Sequence, residues 1–115
     1  MNDPNDRIRL QHILDATDEV ISFLGDKNRD IFNDDRLLQL ALTRLIEIIG
    51  EAANHVSDSI RDHYPQVAWS KIRGMRNRLT HAYFEVDLDL LWFTITQSVP
   101  ELNQQIKSIL IKWDE

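Results

Sequence analysis

The chain contains no cysteine. That excludes disulfides, thiolate metal sites and a cysteine nucleophile. Three glycines and three prolines in 115 residues leave few places to turn, so long elements are favoured. No apolar run approaches the roughly 18 residues that span a bilayer. The opening Met1-Asn2-Asp3-Pro4 is acidic and lacks an apolar signal region. The expectation is a cytoplasmic protein with no membrane contact. Internal repeats, low-complexity stretches and obvious linkers are absent as well. With 43% hydrophobic and 28% charged residues, the chain reads as one globular domain over 1–115.

Cations are in the minority: 13 Lys and Arg against 19 Asp and Glu give a net charge of −6. That balance argues against a general nucleic-acid coat. The distribution is uneven, however. Between Arg61 and Phe84 stand Arg61, Lys71, Arg73, Arg76 and Arg78, with Asp62 the sole acid, a local +4 against −10 for the rest. Either this is a charged helix face paired with acids elsewhere, or it is a local phosphate site on an otherwise repelling body.

What is abundant is helical periodicity. From Asp3 to Leu24 a stripe runs through Leu10, Leu14, Thr17, Ile21 and Leu24, with Asp3 as cap, Pro4 at the first helical position and Gly25 as the stop. From Asn33 or Asp34 to Val56 the apolar residues cover much of the circumference, so this helix is central in the core or lies at a subunit interface. Ser57 to His63 forms a short extra turn closed by Tyr64-Pro65. A third helix is expected from Ala68 to His81 or Ala82. Asp87 caps a fourth, which keeps its phase through Pro100 and reads as one long kinked helix ending near Trp113. Trp69, Trp92 and Trp113 fall on apolar stripes and are expected in the core. The fold class is all-α, an antiparallel bundle of four to five helices.

The third helix carries the chemistry. At about 100° per residue, Ile72, Met75 and Leu79 share one arc, while Arg73, Arg76, Asn77, Thr80 and His81 share the other. Arg73, Asn77 and His81 are spaced i, i+4, i+8 and line up. This polar face has no carboxylate, and it offers no evident magnesium site. Arginine forks onto phosphate oxygens, and histidine moves protons near neutral pH. RNA brings its own nucleophile, the 2′-hydroxyl, so such a face could cleave it without metal. Arg76 and His81 lie about 140° apart on an ideal helix. They meet on one phosphate only if the arginine bends inward or the helix ends at His81. The plain alternatives stand beside this: surface charge for Arg76 and Arg78, a dipole-favoured C-terminal residue for His81, and a core-edge aromatic for Tyr83. His12, His55 and His63 show no ligand spacing, so no metal site is expected.

Arg76-Asn77-Arg78-Leu79-Thr80-His81-Ala82-Tyr83 resembles the R-x-x-x-x-H-x-Y signature of the HepT-type HEPN toxins. Trp69 to Met75, Phe84 to Asp87, Leu91-Trp92 and Ile49-Gly50-Glu51-Ala52-Ala53 extend the similarity over nearly the whole chain. The resemblance implies a HEPN-type homodimer with two motifs in one cleft, acting as a metal-independent endoribonuclease without cofactor. Arg76 would bind and stabilise the scissile phosphate, and His81 would act as general acid or base. Asn77 would position substrate or histidine, and Arg73 and Arg78 would add backbone contacts. The implied partner is a minimal nucleotidyltransferase (MNT) antitoxin that transfers AMP to Tyr83. The bundle also resembles the substrate-binding subunit of two-component nucleotidyltransferases. In that reading the chain is no enzyme and the motif grips a nucleotide or phosphate. A purely structural dimerisation module would explain the stripes but not the acid-free face.

Overall fold

The computed structural model describes residues 3–81 and 85–115, with the side chains of Arg76, Thr80, His81 and Glu85 outside the description. Helix α1 (Pro4–Leu24) starts as its sequence dictates: the Asp3 carboxylate accepts from the Asn5 amide at 2.8 Å, and Pro4 occupies the first turn. It stops at Gly25, whose φ of +54° suits a residue without Cβ. The buried stripe is Leu10, Ile13, Thr17, Val20 and Leu24. Leu14 is only partly buried and Ile21 is 40% exposed. The expected stripe was therefore rotated by one position at two of its five residues.

A short helix, α2 (Arg29–Asn33), stands in the stretch between the first two expected helices. The Asn28 side chain caps it, and the fully buried Phe32 pins it against Trp92, ring to ring at 5.2 Å. Asp35 then caps α3 (Arg36–Asn54), which packs against α1, α2 and the motif segment. Those neighbours bury Leu38, Leu42, Leu45, Ile46, Ile49, Ala52 and Ala53. Leu37 and Leu40 near its start stay 79% and 48% exposed. Ser57 caps α4 (Asp58–His63).

The last third begins with α7 (Leu88–Phe93), capped by Asp87 as expected. It runs through a widened π turn at Thr94–Ser98 into α8 (Val99–Trp113). Pro100 has no amide hydrogen and its ring crowds the preceding turn; a π turn just upstream is a common way to relieve both. The hydroxyls of Thr94 and Thr96 donate to the Leu90 and Trp92 carbonyls one turn back. The stripe Ile95, Val99, Leu102, Ile106 and Ile109 is buried through the disturbance. Trp69 is buried, while Trp92 and Trp113 sit half-buried at the edge of the core.

Helix α1 lies between α3 and α8, and two buried polar links fix it there. Asn103 on α8 donates to the Thr17 hydroxyl at 2.9 Å and to Asp18 at 2.8 Å. Asp6 accepts from the amide and the hydroxyl of Ser57 at 2.9 and 2.7 Å, joining the start of α1 to the start of α4. Removing a buried acceptor leaves its donors without partners. Asp6→Ala is expected to lower stability by about 1–3 kcal/mol, seen as a lower urea midpoint. An unchanged midpoint would mean that Ser57 finds another acceptor at no cost. The architecture is all-α, and no helix among the described residues is long and apolar enough to cross a membrane.

Candidate active site

The motif segment is not one helix. Helix α5 (Trp69–Arg73) passes through Gly74 into α6 (Met75–Leu79), and the chain then turns extended. Thr80 and His81 form β1, paired antiparallel with β2 (Glu85–Val86) in the register Thr80 to Val86 and His81 to Glu85. This corrects the expectation of a helix reaching His81 or Ala82. Leu79, fully buried, anchors the last turn, and its carbonyl accepts from the Asp87 amide at 2.7 Å. Thr80 and Val86 are β-branched and suit an extended pair better than another helical turn. Asp87 thereby joins two elements: its amide closes the end of α6 and its carboxylate caps α7 at the Leu90 amide.

The line expected through Arg73, Asn77 and His81 is broken, because His81 has left the helix. Arg73, exposed, donates from Nε to the Asn54 side chain at 3.1 Å, toward the end of α3. Asn77 is exposed on α6. Arg78 reaches back to donate to the Lys71 carbonyl. The three expected positioning residues thus occupy different surroundings, with Arg73 drawn to α3 and Arg78 to α5. Arg76 stands on α6 between them by its backbone, and His81 on β1. Tyr83, the expected modification site, lies outside the described residues.

Two features hold this segment in place that residue spacing did not single out. Gly50 of α3 is buried, and a Cβ there would lie 3.1 Å from the Ile72 carbonyl oxygen and 3.6 Å from that of Arg73. The close approach of α3 to α5 therefore favours a glycine, and any larger residue must push the α5 backbone back. An isolated glycine inside a helical pattern was the available signal. The second is Asn54, which gives Arg73 its partner. Around it, Asp58 is held below the usual carboxylate range by its hydrogen bond to Arg61, with Arg73 adding a weaker pull. Arg61 and Arg73 thus both act on Asp58 on this side of the segment. Among the described residues, no group of three or more His, Asp or Glu side chains is placed to hold a metal ion.

With a helix ending between an arginine and a histidine, and an α3 glycine seating the whole segment, the chain can be set beside known proteins. Residues 13–109 match the family described as "Ribonuclease HepT-like". The chain belongs to the HepT-like ribonuclease family. It is 38% identical over 103 residues to a "Putative RNase" of Caldanaerobacter subterraneus, covering 90% of this chain and 92% of that protein. It is 33% identical over 100 residues to a "Putative RNase" of Methanocaldococcus jannaschii, covering 87% and 92% respectively. A "Probable ribonuclease HepT" of Thermococcus cleftensis is 31% identical over 100 residues, covering 87% and 91%. No solved structure matches the chain significantly. The HepT-like chain thus keeps similarity over 87–90% of its length to relatives named as ribonucleases, with the motif segment inside the region 13–109 that the family matches.

Proposed function

We propose that this HepT-like chain is the toxin of a HEPN/MNT toxin–antitoxin pair, a metal-independent endoribonuclease acting through Arg76 and His81. The supporting observation is the end of α6 at Leu79. Had the helix continued, Arg76 and His81 would stand about 140° apart on its surface. With His81 on an extended segment, that constraint is gone, and the two groups can approach one phosphodiester.

The chemistry needs three acts. A base takes the proton of the 2′-hydroxyl as its oxygen bonds to phosphorus. A guanidinium neutralises the added charge on the non-bridging oxygens. An acid protonates the departing 5′-oxygen as its bond to phosphorus breaks. Arg76 suits the second act by its forked, permanent charge. His81 suits the first or the third. The one motif imidazole of each chain covers one proton transfer, and a homodimer with two motifs in one cleft supplies the other. Asn77, exposed one residue beyond Arg76, orients the substrate or the histidine.

The test is cleavage of RNA by the purified protein in excess EDTA. The expected products carry 2′,3′-cyclic phosphate ends. Intact RNA under every condition, beside clear nucleotide binding, would favour the non-catalytic subunit of a two-component nucleotidyltransferase instead. Co-expression with the MNT partner is expected to add an adenylyl group to the peptide containing Tyr83, visible by mass spectrometry. That group brings bulk and negative charge close to His81 in the chain, which opposes entry of a polyanion. An unmodified Tyr83 in a fully neutralised toxin would show inhibition by binding alone.

A further inference from the structure

A groove of about 600 Å³ lies between the α5–α6 segment and the long C-terminal helix. This size is ordinary for a small-molecule site. Its floor includes the buried Ile72 and Met75. Its lip carries two cations, Lys71 and Arg78, from the motif side and one acid, Glu101, from α8. Phe93, also lining it, is 57% exposed, a large apolar ring that the core does not use. Arg78 is held at the lip by donating to the Lys71 carbonyl, which spends only part of its five-donor capacity.

An open aromatic face beside two cations, one of them anchored, is the composition of a single-stranded nucleic-acid platform. The charges also give a direction. A phosphate is drawn to the Lys71 and Arg78 side and repelled from Glu101, so a base seated here points its edge toward α8. A carboxylate accepts from an exocyclic amino group, as on adenine or cytosine. Uracil has no such group, and its N–H lies between two carbonyl oxygens that would face the acid. Met75 and Arg78 share α6 with Arg76, so one short helix carries both part of the groove and part of the proposed cleavage site.

We propose that this groove is a nucleotide subsite for single-stranded RNA. Phe93 stacks an unpaired base, Lys71 and Arg78 hold the adjoining phosphate, and Glu101 selects bases bearing an exocyclic amino group over uracil. The assignment of RNA as occupant rests on the ribonuclease reading, but the stacking site is tested separately from cleavage.

The experiment measures binding of fluorescein-labelled oligo(A), oligo(C) and oligo(U) ribonucleotides to the His81→Ala protein by anisotropy, in EDTA. Oligo(A) and oligo(C) are expected to bind more tightly than oligo(U). Adding Phe93→Ala is expected to weaken binding about tenfold, Phe93→Trp to retain it, and Glu101→Gln to erase the base preference. Phe93 is exposed, so its truncation leaves the helices intact, as circular dichroism will show. Equal affinity with and without the Phe93 ring overturns the subsite, and so does a Phe93→Ala protein that changes only in oligomeric state, which would mark a protein contact. Cleavage by the His81-containing protein is followed in parallel. Ring-dependent binding without any cleavage keeps the subsite and removes the nuclease. Cleavage indifferent to Phe93 keeps the nuclease and removes the subsite.

Discussion

A His81→Ala protein is expected to cleave RNA a hundred- to ten-thousandfold more slowly than the wild type, with its helical content and urea midpoint unchanged. The size follows from losing a proton-transfer group in the rate-limiting step. The retained fold follows from the ladder: His81 pairs with Glu85 through the backbone, which alanine preserves. Leu79, fully buried two residues earlier, anchors this turn. Arg76→Lys separates charge from shape in the same assay. Lysine keeps the charge but loses the fork onto two phosphate oxygens, so a loss smaller than that of Arg76→Ala is expected. Unchanged cleavage by His81→Ala would remove the histidine from the mechanism.

Gly50→Val is expected to cost about 1–3 kcal/mol of stability and about a hundredfold in cleavage rate, although residue 50 belongs to another helix. The obstacle is backbone, not a side chain that could swing away: the carbonyl oxygens of Ile72 and Arg73 stand 3.1 and 3.6 Å from the position of a Cβ. A branched side chain forces α3 and α5 apart. The displacement passes through Gly74 to α6, which carries Arg76. Gly50→Ala is the graded control. Its Cβ requires a shift of a few tenths of an ångström, against which alanine gains about 1 kcal/mol of helix propensity over glycine. Urea titration and single-turnover rates, taken where circular dichroism shows both variants folded, check this. A Gly50→Val protein that cleaves at the wild-type rate would uncouple the α3–α5 contact from the site.

Much of this architecture is legible in the sequence, because caps and stops act locally. Asp3, Gly25 and Asp87 mark their boundaries by their own side-chain chemistry or backbone freedom. The phase of α1 was harder to read. Apolar or small residues occur at both members of the pairs Ile13/Leu14 and Val20/Ile21, so spacing alone does not say which member faces inward; packing against α3 and α8 selects Ile13 and Val20. Helix α2 escaped notice because five residues make little more than one turn, and its reason for existing is the single buried ring of Phe32. The end of α6 escaped for a related reason. No glycine or proline marks it, the polar face of the wheel continues to His81, and the bond that closes it comes from Asp87, eight residues beyond Leu79. Residue types were readable at the site, whereas their grouping was not. Arg73 and Arg78 share a basic face on the wheel but separate in the fold, because Asn54 draws one and the Lys71 carbonyl the other.

Single-turnover cleavage of one defined oligoribonucleotide in EDTA, by wild type, Arg76→Ala, His81→Ala and the double variant, tests the core of the account most directly. Two groups working on one phosphodiester lose their effects together, so the double variant is expected to be little slower than the worse of the two single variants. Losses that multiply in full would place the guanidinium and the imidazole in separate tasks, and the shared site would be contradicted.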